Sequence, residues 1–138
     1  MTSESSKELR DELDTPFDLT EQQVGFYRDN GYIKLKHVLS AETIAWYGSE
    51  ITRRVKELNS EHLPLEERDL YYRAFLQVEN LWESSAIVRE FIGSLKLGRI
   101  AAELMGTTGV RIYHDQALYK EAGGGITPWH ADQYYWPV

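Results

Sequence analysis

Val110-Arg111-Ile112-Tyr113-His114-Asp115-Gln116-Ala117-Leu118-Tyr119-Lys120 is the stretch on which the fold turns. Read with the two-residue period of a strand, Val110, Ile112, His114, Gln116, Leu118 and Lys120 share one face, and Arg111, Tyr113, Asp115, Ala117 and Tyr119 share the other. Polar groups on both faces, mixed with aromatics, suit a barrel wall beside a pocket better than a strand sealed in a closed core. Gly123-Gly124-Gly125 and Pro128 then make a mobile connection into Trp129-His130-Ala131-Asp132-Gln133-Tyr134-Tyr135-Trp136. This second segment reads as a further strand. His130 and Asp132, two apart on an extended backbone, therefore project to one side and reach a single ion.

Upstream the period is helical. Thr20 with Gln23 fits a capping box and Gly31 a helix stop, which predicts a helix over about 20–30. Tyr32-Ile33-Lys34-Leu35-Lys36 alternates polar with apolar and predicts a short strand. Ser40 caps a longer helix in which Ile44, Tyr47, Ile51, Val55 and Leu58 form an apolar packing stripe, with Glu50, Arg53, Arg54 and Glu57 turned to water. After a break at 60–64, residues 71–78 read as a strand or extended segment. Ser84 or Ser85, and then Ser94, read as N-caps of two short helices, the second running from Leu95 to Met105 and closed at Gly106. Helices come first and strands last, which predicts an α+β arrangement whose sheet region is cut short.

A chain of 138 residues holds one domain or part of one. With 42% hydrophobic and 12% aromatic residues it has the material for a core, and global disorder is excluded. No run approaches the roughly 18 apolar residues of a membrane span, and the N-terminus lacks the basic start of a secretory signal, so the expectation is a cytoplasmic protein away from membranes. The net charge is −7, and the first 21 residues alone carry seven acids against two bases. The remainder shows no basic stripe, which excludes nucleic acid as a partner. Residues 1–15 read as an acidic flexible tail, leaving 16–138 as the folded part. The absence of cysteine excludes disulfides, a thiolate nucleophile and any sulfur-held cluster, so a metal falls to His, Asp and Glu. The glycine loop lacks the Lys-Ser/Thr that completes a phosphate-binding loop.

One imidazole and one carboxylate are two of the three ligands in the facial triad that holds non-haem Fe(II) with open positions. His-x-Asp alone is common, and more often both side chains sit in a loop in water. Here the pair has context. Gln116-Ala117-Leu118-Tyr119-Lys120, the glycine loop and Thr127-Pro128-Trp129-His130-Ala131-Asp132-Gln133-Tyr134-Tyr135-Trp136-Pro137 stand in fixed order, and together they resemble the phytanoyl-CoA dioxygenase family of Fe(II)/2-oxoglutarate oxygenases. Phe26-Tyr27-Arg28-Asp29-Asn30-Gly31-Tyr32 followed by Val38-Leu39-Ser40 resembles the family's opening, as does Gln77-Val78-Glu79-Asn80-Leu81-Trp82. The likeness spans about residues 20–138.

The resemblance implies N-terminal helices packed on a double-stranded β-helix, a cupin-like jelly roll, with the barrel incomplete in this chain. It implies His130 and Asp132 as Fe(II) ligands, Gln77 and Gln116 as amides lining the 2-oxoglutarate pocket, O2 as the other cosubstrate, and Tyr134 and Trp136 on the substrate side. Pairing with buried backbone for the glutamines, and barrel packing for the aromatics, stay open as alternatives. It also implies a second histidine ligand and a 2-oxoglutarate-binding arginine downstream of His-x-Asp. Neither is met before Val138, and His37, His62 and His114 do not occupy the distal ligand's position, so the chain reads as the N-terminal half of an oxygenase, inactive alone. Family halogenases carry a small residue where Asp132 stands, so this carboxylate argues for hydroxylation. The expected activity is hydroxylation of an unactivated C–H bond in a small organic molecule. Its rivals are a catalytically incomplete binding module, self-associating through exposed barrel edges, and a metal-binding cupin without oxygenase activity.

Overall fold

The computed structural model describes residues 3–134 and 136. Its helices are α1 (Ser3–Asp14), α2 (Glu21–Asn30), α3 (Ala41–Leu58), α4 (Leu70–Ala74), α5 (Leu81–Ser84), α6 (Ala86–Ile92) and α7 (Leu95–Met105), and its strands are β1 (Leu76–Glu79) and β2 (Gln116–Tyr119). No described helix is long and apolar enough to cross a membrane.

Local chemistry sets the helix ends. The Thr20 hydroxyl accepts from the Gln23 N–H at 3.2 Å while the Gln23 side chain accepts from the Thr20 N–H at 2.8 Å, so two of the first-turn donors of α2 are satisfied at once. Ser40, Ser85 and Ser94 cap α3, α6 and α7 in the same manner, each accepting from the N–H three residues on. Gly31 and Gly106, at φ 76° and 68°, stop α2 and α7 in the left-handed conformation that favours glycine.

The core lies between α3 and one face of the sheet. Val55, Leu81 and Val88 are buried together, and Ile51, Leu76, Val78, Ile92, Ala117 and Tyr119 close around them. β1 and β2 pair antiparallel with Leu76 opposite Tyr119 and Glu79 opposite Gln116, so the alternate residues Leu76, Val78, Ala117 and Tyr119 all turn to α3. The Tyr119 phenol reaches Thr52 at 2.7 Å and ties strand to helix. The α3 stripe is covered only in its middle. Tyr47 and Val55 are buried, while Ile44 and Leu58 at its ends are exposed, and Glu50 is drawn inward by the Ser85 hydroxyl at 2.8 Å.

Several expectations change. The acidic N-terminal stretch is not a tail but α1, because Leu13 inserts into the core at 2% exposure and Glu12 bonds across to α3. Residues 32–36 keep their alternation, with Ile33 and Leu35 half-buried, but form no strand, since among the described residues no strand pairs with their N–H and C=O groups. Residues 71–78 divide into α4 and β1, the Asp69 carboxylate capping α4 through the N–H groups of Tyr71 and Tyr72. Of the strand expected over 110–120 only β2 is laddered. The described residues of 127–136 form no strand: Asp132–Tyr134 is a 3-10 turn, and Tyr135, like Pro137, lies outside the described residues. The sheet among the described residues is two-stranded, so α+β holds while a closed jelly roll is not seen.

Candidate functional site

β2 is held in place at its start by Asp115. Its carboxylate accepts from the N–H groups of Leu81 and Trp82 at 3.1 and 3.2 Å, and its carbonyl accepts from the Asn80 N–H at 2.9 Å. The carboxylate thus serves the open N-terminus of α5, whose own N-cap residue makes no side-chain bond. β2 is thereby locked against the helical layer at one end and against Thr52 near the other.

Beyond β2 the chain doubles back. The Lys120 ammonium donates to the Gly125 carbonyl and lies 4.9 Å from the centre of the Phe75 ring. The Gly125 N–H donates to the Arg73 carbonyl at 2.8 Å. A Cβ at Gly124 would stand 3.0 Å from two backbone oxygens, so the glycine loop is a close backbone approach and not merely a hinge. Trp136 returns to stack on His114, ring centroids 4.6 Å apart, with Tyr113 at 5.8 Å. The segment bearing His130 and Asp132 is therefore tied to the chain on either side of β2, through Lys120 after it and His114 before it.

Within that segment the two predicted ligands do meet. A carbonyl only accepts, so His130 Nδ1 carries the hydrogen in its 2.8 Å bond to the Pro128 carbonyl. Its other ring nitrogen, Nε2, stands 3.3 Å from Asp132 Oδ1. The backbone bond at Nδ1 orients the ring in the manner usual for a metal-bound histidine. Both side chains are open to solvent, at 48% and 82% exposure. Among the described residues no set of three His, Asp or Glu side chains comes together, so His114 does not join the pair. Its Nδ1 is buried without a partner.

Gln77 and Gln116 are brought together by the strand register, on the face of the sheet turned away from α3. Between them stands Glu79, a residue the sequence reading left without a role. Gln77 Nε2 donates to Glu79 Oε1 at 2.7 Å, and Gln116 Nε2 approaches the same oxygen at 3.5 Å. The Tyr71 hydroxyl donates to Gln77 Oε1. Among the described residues neither glutamine amide is bonded to buried backbone. The i, i+2 spacing of Gln77 and Glu79 was the signal for their shared face, but only the pairing with β2 brings Gln116 beside them. Tyr134 and Trp136, expected side by side on the substrate face, are separated by the turn: Tyr134 is 88% exposed while Trp136 packs on His114.

The phytanoyl-CoA dioxygenase family model matches residues 27–138. Neither a curated protein nor a solved structure matches the chain.

Proposed function

This chain belongs to the phytanoyl-CoA dioxygenase family, and from that premise we propose that it carries the substrate-side wall and two metal ligands of an Fe(II)/2-oxoglutarate-dependent oxygenase that hydroxylates a small organic molecule. The supporting observation is the meeting of His130 Nε2 and Asp132 Oδ1 at 3.3 Å with Nδ1 already committed to the Pro128 carbonyl. This donor set of one imidazole nitrogen and one carboxylate oxygen fits Fe(II) and leaves the remaining ligand of a facial triad to another histidine. Bound there, the metal supplies oxygen activation at the expense of 2-oxoglutarate.

The chain's own residues do the positioning. His130, its Nδ1 bonded to the Pro128 carbonyl, would present Nε2 to the metal, Asp132 would offset part of the metal's charge, and Trp136 against His114 holds the returning segment. Gln77 and Gln116 face the space on the side of the sheet away from α3, which in a completed jelly roll is the interior. The core-facing set Leu76, Val78, Ala117 and Tyr119 leaves them no other direction.

The test is anaerobic titration of the protein with Fe(II) and 2-oxoglutarate, read by the metal-to-ligand charge-transfer band and, on admitting O2, by succinate release. The chain by itself, holding two of the three ligands, is expected to give neither signal at stoichiometric iron; supplied with the second histidine and the arginine it should give both, and lose them in His130→Ala and in Asp132→Ala with the far-UV circular dichroism unchanged. Normal signals in either variant would remove that residue from the ligand set.

A second property is favoured by a separate observation. Ile126, Trp129 and Tyr134 are 87%, 104% and 88% exposed, and among the described residues the sheet has two strands. We propose self-association through this region, and sedimentation velocity across a concentration series, with Trp129→Ser as the comparison, tests it.

A further inference from the structure

Glu79 is the one acidic side chain on the outward face of the sheet, where Gln77, Leu118 and Gln116 are its neighbours by register. Both glutamine amides converge on a single carboxylate oxygen, Oε1. Among the described residues no donor meets Oε2, and Glu79 makes no ion pair. Lys120, which shares this face by alternation, has its ammonium turned away to the Gly125 carbonyl and the Phe75 ring. The result is a solvent-exposed carboxylate with one oxygen held by the Gln77 amide and approached by that of Gln116 at the limit of hydrogen-bonding distance, and the other oxygen open. It sits beside an apolar side chain, Leu118, that is 47% exposed.

The chemistry of this face is lopsided. The amides spend donors on Glu79, and Gln77 Oε1 is occupied by the Tyr71 hydroxyl. What remains is a full negative charge and acceptor capacity next to a hydrocarbon surface. 2-Oxoglutarate is a dianion and is repelled by such a face. An aliphatic ammonium matches it, with methylenes along Leu118 and N–H groups on Oε2. We propose that Glu79, oriented by Gln77 and Gln116, is a specificity-determining residue that selects a small substrate bearing an aliphatic amine. This deepens the oxygenase reading and rests on it for the space being a substrate cavity.

The probes are n-pentylamine, its N-acetyl derivative and 2-oxoglutarate, each titrated into the protein by saturation-transfer NMR, with wild type, Glu79→Gln, Glu79→Asp and His130→Ala compared. In the wild type the amine binds about tenfold more tightly than the neutral amide, the difference a charge-assisted bond makes. Glu79→Gln removes that difference while retaining the hydrogen-bonding shape, and Glu79→Asp restores part of it. The His130→Ala variant keeps the amine preference whether or not iron is bound, so failure of the metal assignment and failure of this proposal give different results. Equal affinity for amine and amide in the wild type overturns the proposal, as does an undiminished preference in Glu79→Gln. Tighter 2-oxoglutarate binding in Glu79→Gln with no change for the amine also overturns it, and returns the glutamines to the cosubstrate.

Discussion

Residues 3–105 close over Tyr47, Val55, Leu81 and Val88, none more than 2% exposed, whereas the segment from 110 onward leaves Trp129 and Tyr134 almost wholly in water. The contrast is one of hydrogen bonding before it is one of hydrophobicity. A helix satisfies its backbone within itself, and serines or a capping box finish its ends from adjacent sequence. A strand has no such independence: its N–H and C=O groups need a neighbour, and where none is within reach the same alternating pattern stays irregular. The candidate ligands sit in the second kind of region, on a segment positioned by Lys120, Gly125 and Trp136 rather than by a ladder.

The sharpest way to break this comparison is to empty the helical core. Leu81→Ala removes a side chain that is 1% exposed beside Val55 and Val88, and its expected cost is about 2–5 kcal/mol by urea denaturation. Trp129→Ala, with its side chain fully exposed, should stay within about 0.5 kcal/mol. Equal losses would show that the 126–134 segment is as integral to the folded unit as α5. Hydrogen exchange sharpens the same point, with amides of α3 and α7 protected and those of 126–131 exchanging freely.

The second test separates function from stability. His130→Ala should lower Fe(II) affinity at least ten- to a hundredfold, the cost known for losing even an outer-shell partner, while the urea midpoint stays where it was. A shifted midpoint would assign the imidazole a packing role.

A smaller effect is expected at the contact between α1 and α3. Burial pushes the Glu12 carboxyl up, but hydrogen bonds from Thr43 and Ser40 together with the Lys96 charge outweigh it and hold it below its usual value of 4.5. A folded-state value below the unfolded one contributes stability that is present above about pH 4.5 and is lost as pH falls through the folded value. The wild-type urea midpoint should therefore fall more steeply below pH 4.5 than that of Glu12→Ala, and at neutral pH the variant should cost about 1 kcal/mol, the usual value of a helix cap. Identical acid limbs would mean that Glu12 does not couple α1 to α3.

The smallest effects concern two helix glycines. Gly48, inside α3 with nothing within 4 Å of a built Cβ, should gain roughly 0.5–1 kcal/mol on change to Ala. Gly106, at φ 68° with Arg28 Nη2 3.2 Å from that Cβ, should lose about 1 kcal/mol or more on the same change. Thermal denaturation reads both.

The caps at Thr20, Ser40, Ser85 and Ser94, the stops at Gly31 and Gly106 and the middle of the α3 stripe were legible because each is a short-range contact between residues a few positions apart. His130 and Asp132 were legible as a pair for the same reason, although the expected strand geometry gave way to a 3-10 turn with Nε2 and Oδ1 still adjacent. Illegible were α1, the use of Asp115 as a cap for α5, and the convergence of Gln77 and Gln116 on Glu79. In α1 the excess of acidic residues concealed Leu13, whose burial depends on α7 and the Ser94 hydroxyl that donates to its carbonyl at 2.9 Å.

Sequence by itself determined α2, α3, α6 and α7, the family to which the chain belongs and the choice of its two candidate ligands, because capping and apolar periodicity act over three or four residues and His-x-Asp over two. Tertiary structure decided which alternating segments became strands, which acid capped which helix, and which carboxylate oxygen was left open on the outward face. Those outcomes join residues 28 to 81 positions apart, as in Glu12 with Ser40 and Ser94 with Leu13, and no local pattern specifies a partner that far away.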